Sequence, residues 1–256
     1  MLFTRMSYLG IDPTAGDRPI VFAAIDDTLT LQALGQGSLD DVVAFAAGQQ
    51  QAVAAICAPR RPNTGIMSHE EFRQSLSPPP PPGRWLNFRA CEYLLRLHNL
   101  HIPRTPRKGE KIPGWMQNGF RLFQRLDELG FQPFRNEGGN HQTIEIYPHA
   151  SYSALLGKIP FPKNTIEGRL QRQLVLFDLK LNVPDPMLFF EEITRSRLLR
   201  GILPTEGLFN PGELDALAGA YTAWLSKHRP GELLRFGDSQ EGEVLLPVNP
   251  LKQRYS

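Results

Sequence analysis

The chain has 256 residues, 41% hydrophobic and 21% charged, with a formal net charge of +2. That is enough apolar sequence for the core of one large α/β domain or two small ones. No apolar run approaches the roughly 18 residues that span a bilayer, and the start MLFTRMSYLG lacks the apolar stretch and cleavage site of a secretory signal, so a cytoplasmic protein with no membrane partner is expected.

Residues 7–35 read as three strands, SYLGID, PIVFAAI and TLTLQALG, joined by loops short enough for antiparallel neighbours. Ser38 followed by Asp41 forms a capping-box start for a helix through DDVVAFAAGQQ, and AVAAICAP then reads as an apolar strand with both faces covered. The order so far is βββαβ. Pro59, Pro62 and the run Pro78 to Pro82 break the pattern over 59–83, because proline cannot donate to a ladder. Helices are expected around Asn87–Leu97 and Trp115–Leu129, the second stopped by Gly130, with the basic loop HIPRTPRKGEKIPG between them.

HQTIEIYPHASY reads as another strand, with Ile144 and Ile146 on one face and Thr143, Glu145 and Tyr147 on the other. Thr165 caps a helix through IEGRLQRQLVLFDLKL, Asp185-Pro186 starts one through MLFFEEITRSRLLR, and Asn210, Pro211 and Glu213 open the last through LDALAGAYTAWLSKH. There Leu214, Leu217, Ala218, Tyr221 and Leu225 form a packing stripe, with Asp215, Gly219 and Thr222 beside it. The tail LLRFGDSQEGEVLLPV reads as a hairpin turning at SQEG. The expected organisation is a single domain over 1–256, with a Pro-rich and basic insertion at about 60–130.

Three acids stand out by placement: Asp12 ending an apolar strand, Glu145 inside another, and Asp215 on the flank of a helix. A carboxylate embedded in apolar sequence needs a partner, a proton or a metal. Brought together, such groups repel, and oxygen ligation of this kind suits Mg²⁺ or Mn²⁺ and phosphodiester hydrolysis. Each also has a plainer reading: Asp12 as a turn former before Pro13, Glu145 as the partner of a basic residue, Asp215 as an acid near a helix N-terminus. Asp238 is most simply a hairpin-turn residue, although it could face the site. Residues 84–125 carry nine Lys and Arg against Glu92 and Glu110. Arg84, Arg89, Arg104, Arg107, Lys108 and Lys111 are therefore candidates for holding phosphates, and nucleic acid is the candidate partner, although a solvated basic face gives the same count. Cys57 and Cys91 are too few for a disulfide framework and lack zinc spacing; AAICAP looks buried, with nothing nearby to lower a thiol pKa.

The βββαβ start with an acid ending strand one resembles the ribonuclease H-like superfamily. YLGID, ICAPRRPN, FRACEYLL, IEIYPHASY, ELDALAGAYTAWL and FGDSQEGEVLLP, in that order, resemble domain of unknown function 429, a family of predicted nucleases with the ribonuclease H fold. The resemblance implies an α/β fold with a mixed sheet flanked by helices, and a site of Asp12, Glu145 in EIYP and Asp215. It also matches Arg89, ahead of Cys91-Glu92, to an Arg of the family. One departure bears on activity. Where the family often has Ile-Asp-x-Pro, this chain has Ile56-Cys57-Ala58-Pro59, and a neutral thiol there would weaken hard-metal binding. Three functions follow as expectations: a Mg²⁺ or Mn²⁺-dependent nuclease, a degenerate nucleic-acid or protein-binding module, or an actin-like protein holding nucleotide phosphates on GIDPTAGDRP.

Overall fold

The structure is a computed structural model that describes residues 6–16, 18–135 and 138–256. Strands β1 (Met6–Asp12), β2 (Ile20–Ile25) and β3 (Leu31–Gly37) form a meander, α1 (Leu39–Ala47) crosses over, and β4 (Gln51–Ile56) returns parallel to β1. The expected βββαβ order is present. Ser38 and Asp41 close the capping box of α1 as its sequence requires. β3 begins later than its pattern predicts because Asp26 accepts from the backbone of Thr28 and Thr30 and folds residues 26–30 into a turn.

The Pro-rich stretch is not bare loop: a 3₁₀ turn at Ile66–Ser68 and the short helix α2 (Glu70–Ser75) lie within it. Helices α3 (Ala90–Leu97) and α4 (Gly114–Glu128) follow close to their predicted bounds. A two-residue strand, β5 (Gln132–Pro133), had no sequence signal. The expected strand at HQTIEIYPHASY is shorter than predicted: β6 (His141–Glu145) ends before Pro148, which sits in the first turn of α5 (Pro148–Leu156), where its missing N–H costs nothing.

Thr165 caps α6 (Ile166–Asp178) as predicted. The single helix expected over 187–200 is two short ones, α7 (Leu188–Glu191) and α8 (Arg195–Leu199), because Thr194 accepts from the Arg197 backbone and starts a new N-terminus. The last helix, α9 (Pro211–His228), carries the Asn210–Glu213 capping box, and β7 (Leu234–Asp238) and β8 (Gly242–Leu246) form the terminal hairpin.

These elements make a mixed α/β protein with an eight-stranded mixed sheet flanked by helices, in the order β3-β2-β1-β4-β6-β8-β7, with β5 paired to β6. The core of one sheet face is built largely by α9, with α5 and α6 packed on it; α1 and α4 cover the other. Every residue of α9 from Leu214 to Ser226 is buried, so the expected stripe is a helix enclosed all round. Among the described residues, no helix is long and apolar enough to cross a membrane.

Candidate functional site

The closest approach of helix to sheet fixes the position of two acids. A Cβ added to Gly10 in β1 would lie 1.8 Å from the Ala216 carbonyl oxygen, and one added to Gly219 would lie 2.9 Å from the Gly10 Cα. Only a glycine pair lets backbone rest on backbone here. Two residues past Gly10 stands Asp12, and one turn before Gly219 stands Asp215. The contact therefore carries both carboxylates to the carboxyl end of the parallel strands, where α/β proteins place their ligands. An oxygen of Asp12 also lies against the first turn of α9, 3.3 Å from where a Cβ on Gly212 would be.

Burial dominates the electrostatics of the pair. Loss of water, and then the charge of Asp215, push the Asp12 carboxyl up to about 7, against the pull of Lys163 and Arg18. Asp215 is 5% exposed and its pKa also rises through burial, although Lys163 donates to its Oδ2 at 2.7 Å. Burial works to lower Lys163 too, but Asp215 and Asp12 outweigh it and hold the ammonium above its usual range. Lys163 thus stays charged and neutralises one of two acids. Arg172, itself buried, anchors the loop that carries this lysine by donating to the Phe161 and Gly168 carbonyls at 2.8 and 2.9 Å. Tyr152 donates to the Leu214 carbonyl at 2.7 Å and fixes α9 immediately before Asp215.

Cys57 lies beside both acids, its Sγ 3.4 Å from the Asp215 carbonyl oxygen. Burial first, then Asp12 and Asp215, drive its pKa well above the thiol range. It is a neutral thiol at the strand end where the resemblance expects an acid, and neither a nucleophile nor a hard-metal ligand.

Glu145 does not join them. Sheet register pairs Ile11 with Ile56 and Ile56 with Glu145, and both isoleucines belong to the core under α1 and α4. Asp12, Cys57 and Ile146 come one residue later on their strands, so they point to the other face. Glu145 instead accepts both ends of the Arg89 guanidinium at 2.6 and 3.0 Å, and the Arg60 backbone N–H at 2.9 Å. Arg89 is fully buried, so it is a structural partner of Glu145 with no surface to offer a phosphate. Among the described residues, no group of three or more His, Cys, Asp or Glu is arranged to hold a metal ion. Asp12 and Asp215 are the two acids that the fold brings together.

The basic segment divides in the same way. Arg107 donates to Ser68 and to the Leu86 carbonyl at 2.6 and 2.8 Å, and Arg104 pairs with Glu110 at 2.8 Å. Arg84, Lys108 and Lys111 are exposed and make no ion pair among the described residues. Asp238 accepts from the Gln240 N–H at 2.8 Å, a hairpin-turn acid. In the loop after β1, the Thr14 hydroxyl bonds back to the Arg18 and Pro19 carbonyls at 2.7 Å and so does not project as a phosphate donor; Asp17 of the same motif lies outside the described residues. Sequence reasoning missed Lys163, which sits in an interhelical loop with no pattern around it. The two glycines beside the aspartates were the available signal for the site.

No curated protein and no solved structure matches the chain. The family model described as protein of unknown function (DUF429) matches residues 10–241, from the glycine that seats α9 to the turn of the last hairpin, and the chain belongs to that family.

Proposed function

We propose that this protein is a Mg²⁺- or Mn²⁺-dependent nuclease of ribonuclease H-like arrangement, hydrolysing phosphodiester bonds in nucleic acid, with Asp12 and Asp215 as its cation ligands. The observation that carries the reading is the juxtaposition of these two carboxylates, from strand one and the last helix, with Asp12 driven to about pH 7 by burial and by its neighbour. The sheet supports it: in the run β3-β2-β1-β4-β6-β8 only β2 is antiparallel to the rest.

The donors fit one hard cation. Mg²⁺ is typically held by one or two carboxylates and completes its shell with waters and substrate phosphates, whereas the neutral thiol of Cys57 offers nothing to it. When bound, such a cation polarises a phosphoryl oxygen and lowers the pKa of a water. The chain's own groups do the rest. Asp12 is the more open of the two acids, Lys163 works against the rise that burial imposes on Asp215 and presents a half-exposed ammonium to an incoming phosphate, and Arg84, Lys108 and Lys111 give the surface a backbone-binding charge.

The test is cleavage of single- and double-stranded DNA and RNA with Mg²⁺ or Mn²⁺ by the wild type, Asp12→Asn and Asp215→Asn. Loss of cleavage in both variants is expected; cleavage unchanged by Asp12→Asn would sink the proposal. A second reading, a catalytically degenerate binding module, is favoured by Cys57 at the expected acid position and by Lys163 already seated on Asp215. Salt-dependent binding without metal-dependent cleavage would select it.

A further inference from the structure

Two strands share one edge of β6. β5 pairs with Gln142 and Thr143, while β8 joins only at Glu145, so the two diverge like a fork. Between the tines is an open cavity of about 70 Å³ that contains none of the residues of the Asp12 site. Four arginines line it, Arg60, Arg61, Arg135 and Arg235, against two acids, Glu145 and Glu243.

Both acids are already committed. Glu145 holds Arg89 from behind the wall, and Glu243 holds Arg235 at 2.7 Å. Arg60 gives its Nη atoms to Thr143 and Asp127, lies 5.0 Å over the Phe123 ring, and keeps a buried Nε without a partner. Arg61 donates to the Gln240 carbonyl at 3.3 Å, and neither it nor Arg135 has a carboxylate partner among the described residues. Arg60 and Arg235 are compensated by Asp127 and Glu243, so the uncompensated charge of the fork is that of Arg61 and Arg135, which an oxyanion can neutralise through paired N–H donors.

We propose that this fork is a second binding site, separate from the aspartate pair, that takes the phosphate group of a small phosphorylated ligand. Its volume has room for a phosphate group and a few waters, with the rest of the ligand lying outside it. The inference does not depend on the nuclease reading.

Isothermal titration of the full chain with inorganic phosphate, AMP and adenosine tests it. Phosphate and AMP should bind saturably and adenosine should not. The exposed pair Arg61→Ala/Arg135→Ala should weaken binding at least about tenfold, the usual worth of one charge-assisted contact, while Arg61→Lys/Arg135→Lys, which keeps the charge but not the paired donors, should fall between it and the wild type. Asp12→Asn should bind as the wild type, although it is the variant expected to abolish cleavage, so the two readings fail separately. Equal affinity for phosphate and AMP would identify a free anion as the ligand; tighter AMP would add the nucleoside, and both support the site. No saturable heat at millimolar phosphate or AMP, adenosine binding as well as AMP, or the double alanine variant binding as the wild type, would overturn it.

Discussion

Replacing Asp12 with Asn should stabilise the protein, increasingly as pH rises from 3.8 to about 7 and fully above that. The Asp12 carboxyl titrates at about 7 in the folded chain against an ordinary value of 3.8. Between those values the folded state binds the proton and the unfolded state releases it, so stability declines as pH rises through the window and the full penalty is present above pH 7. About three pH units at 1.36 kcal/mol each set an upper bound of about 4 kcal/mol. Asp12 is partly exposed and Lys163 is near, so about 1–2 kcal/mol is expected after screening. Asn cannot ionise and escapes the penalty. Urea melts in EDTA should therefore show Asp12→Asn close to wild type at pH 4.5 and more stable by that amount at pH 8.5. Adding Mg²⁺ at pH 8.5 should raise the wild type and not the variant. A variant destabilised equally at both pH values, or more at pH 8.5, would refute the claim that burial and Asp215 control this carboxyl.

Gly10→Ala should cost at least about 3 kcal/mol in denaturant melts, since its Cβ would overlap the Ala216 carbonyl and must displace α9. Arg89→Met leaves Glu145 buried without its guanidinium and should destabilise by about 3–5 kcal/mol at neutral pH; Arg89→Met with Glu145→Leu should recover much of it, as a double-mutant cycle would measure. Asn210→Ala removes the N-cap of α9 and should cost about 1 kcal/mol by thermal melts, with little pH dependence between pH 6 and 8.

What could be read from the sequence was whatever local chemistry controls. Ser38, Thr165 and Asn210 cap their helices because a side-chain oxygen meets a free N–H a few residues away, a relation contained in the sequence itself. The two aspartates were singled out for a similar reason: an acid at a strand end and another among small residues on a helix mark themselves. Glu145 misled because its alternation along β6 was right, yet which face Asp12 shares depends on the register of three strands, and register is a long-range property. Arg89 looked like surface charge because the segment around it is basic; only the fold brings Glu145 to it. Lys163 and the fork between β5 and β8 had no local signature at all, because both exist through contacts between distant parts of the chain.

The seat of α9 on Gly10 also has a consequence in time. Gly10 and Gly219 lie at opposite ends of the sequence, so the contact that brings Asp12 to Asp215 is among the most non-local in the molecule. During synthesis the β1–β3 meander, α1 and β4 can form while the last helix has yet to emerge. A nascent chain in that state carries Asp12 without its partner, and whatever chemistry the pair performs is silent until the helix docks.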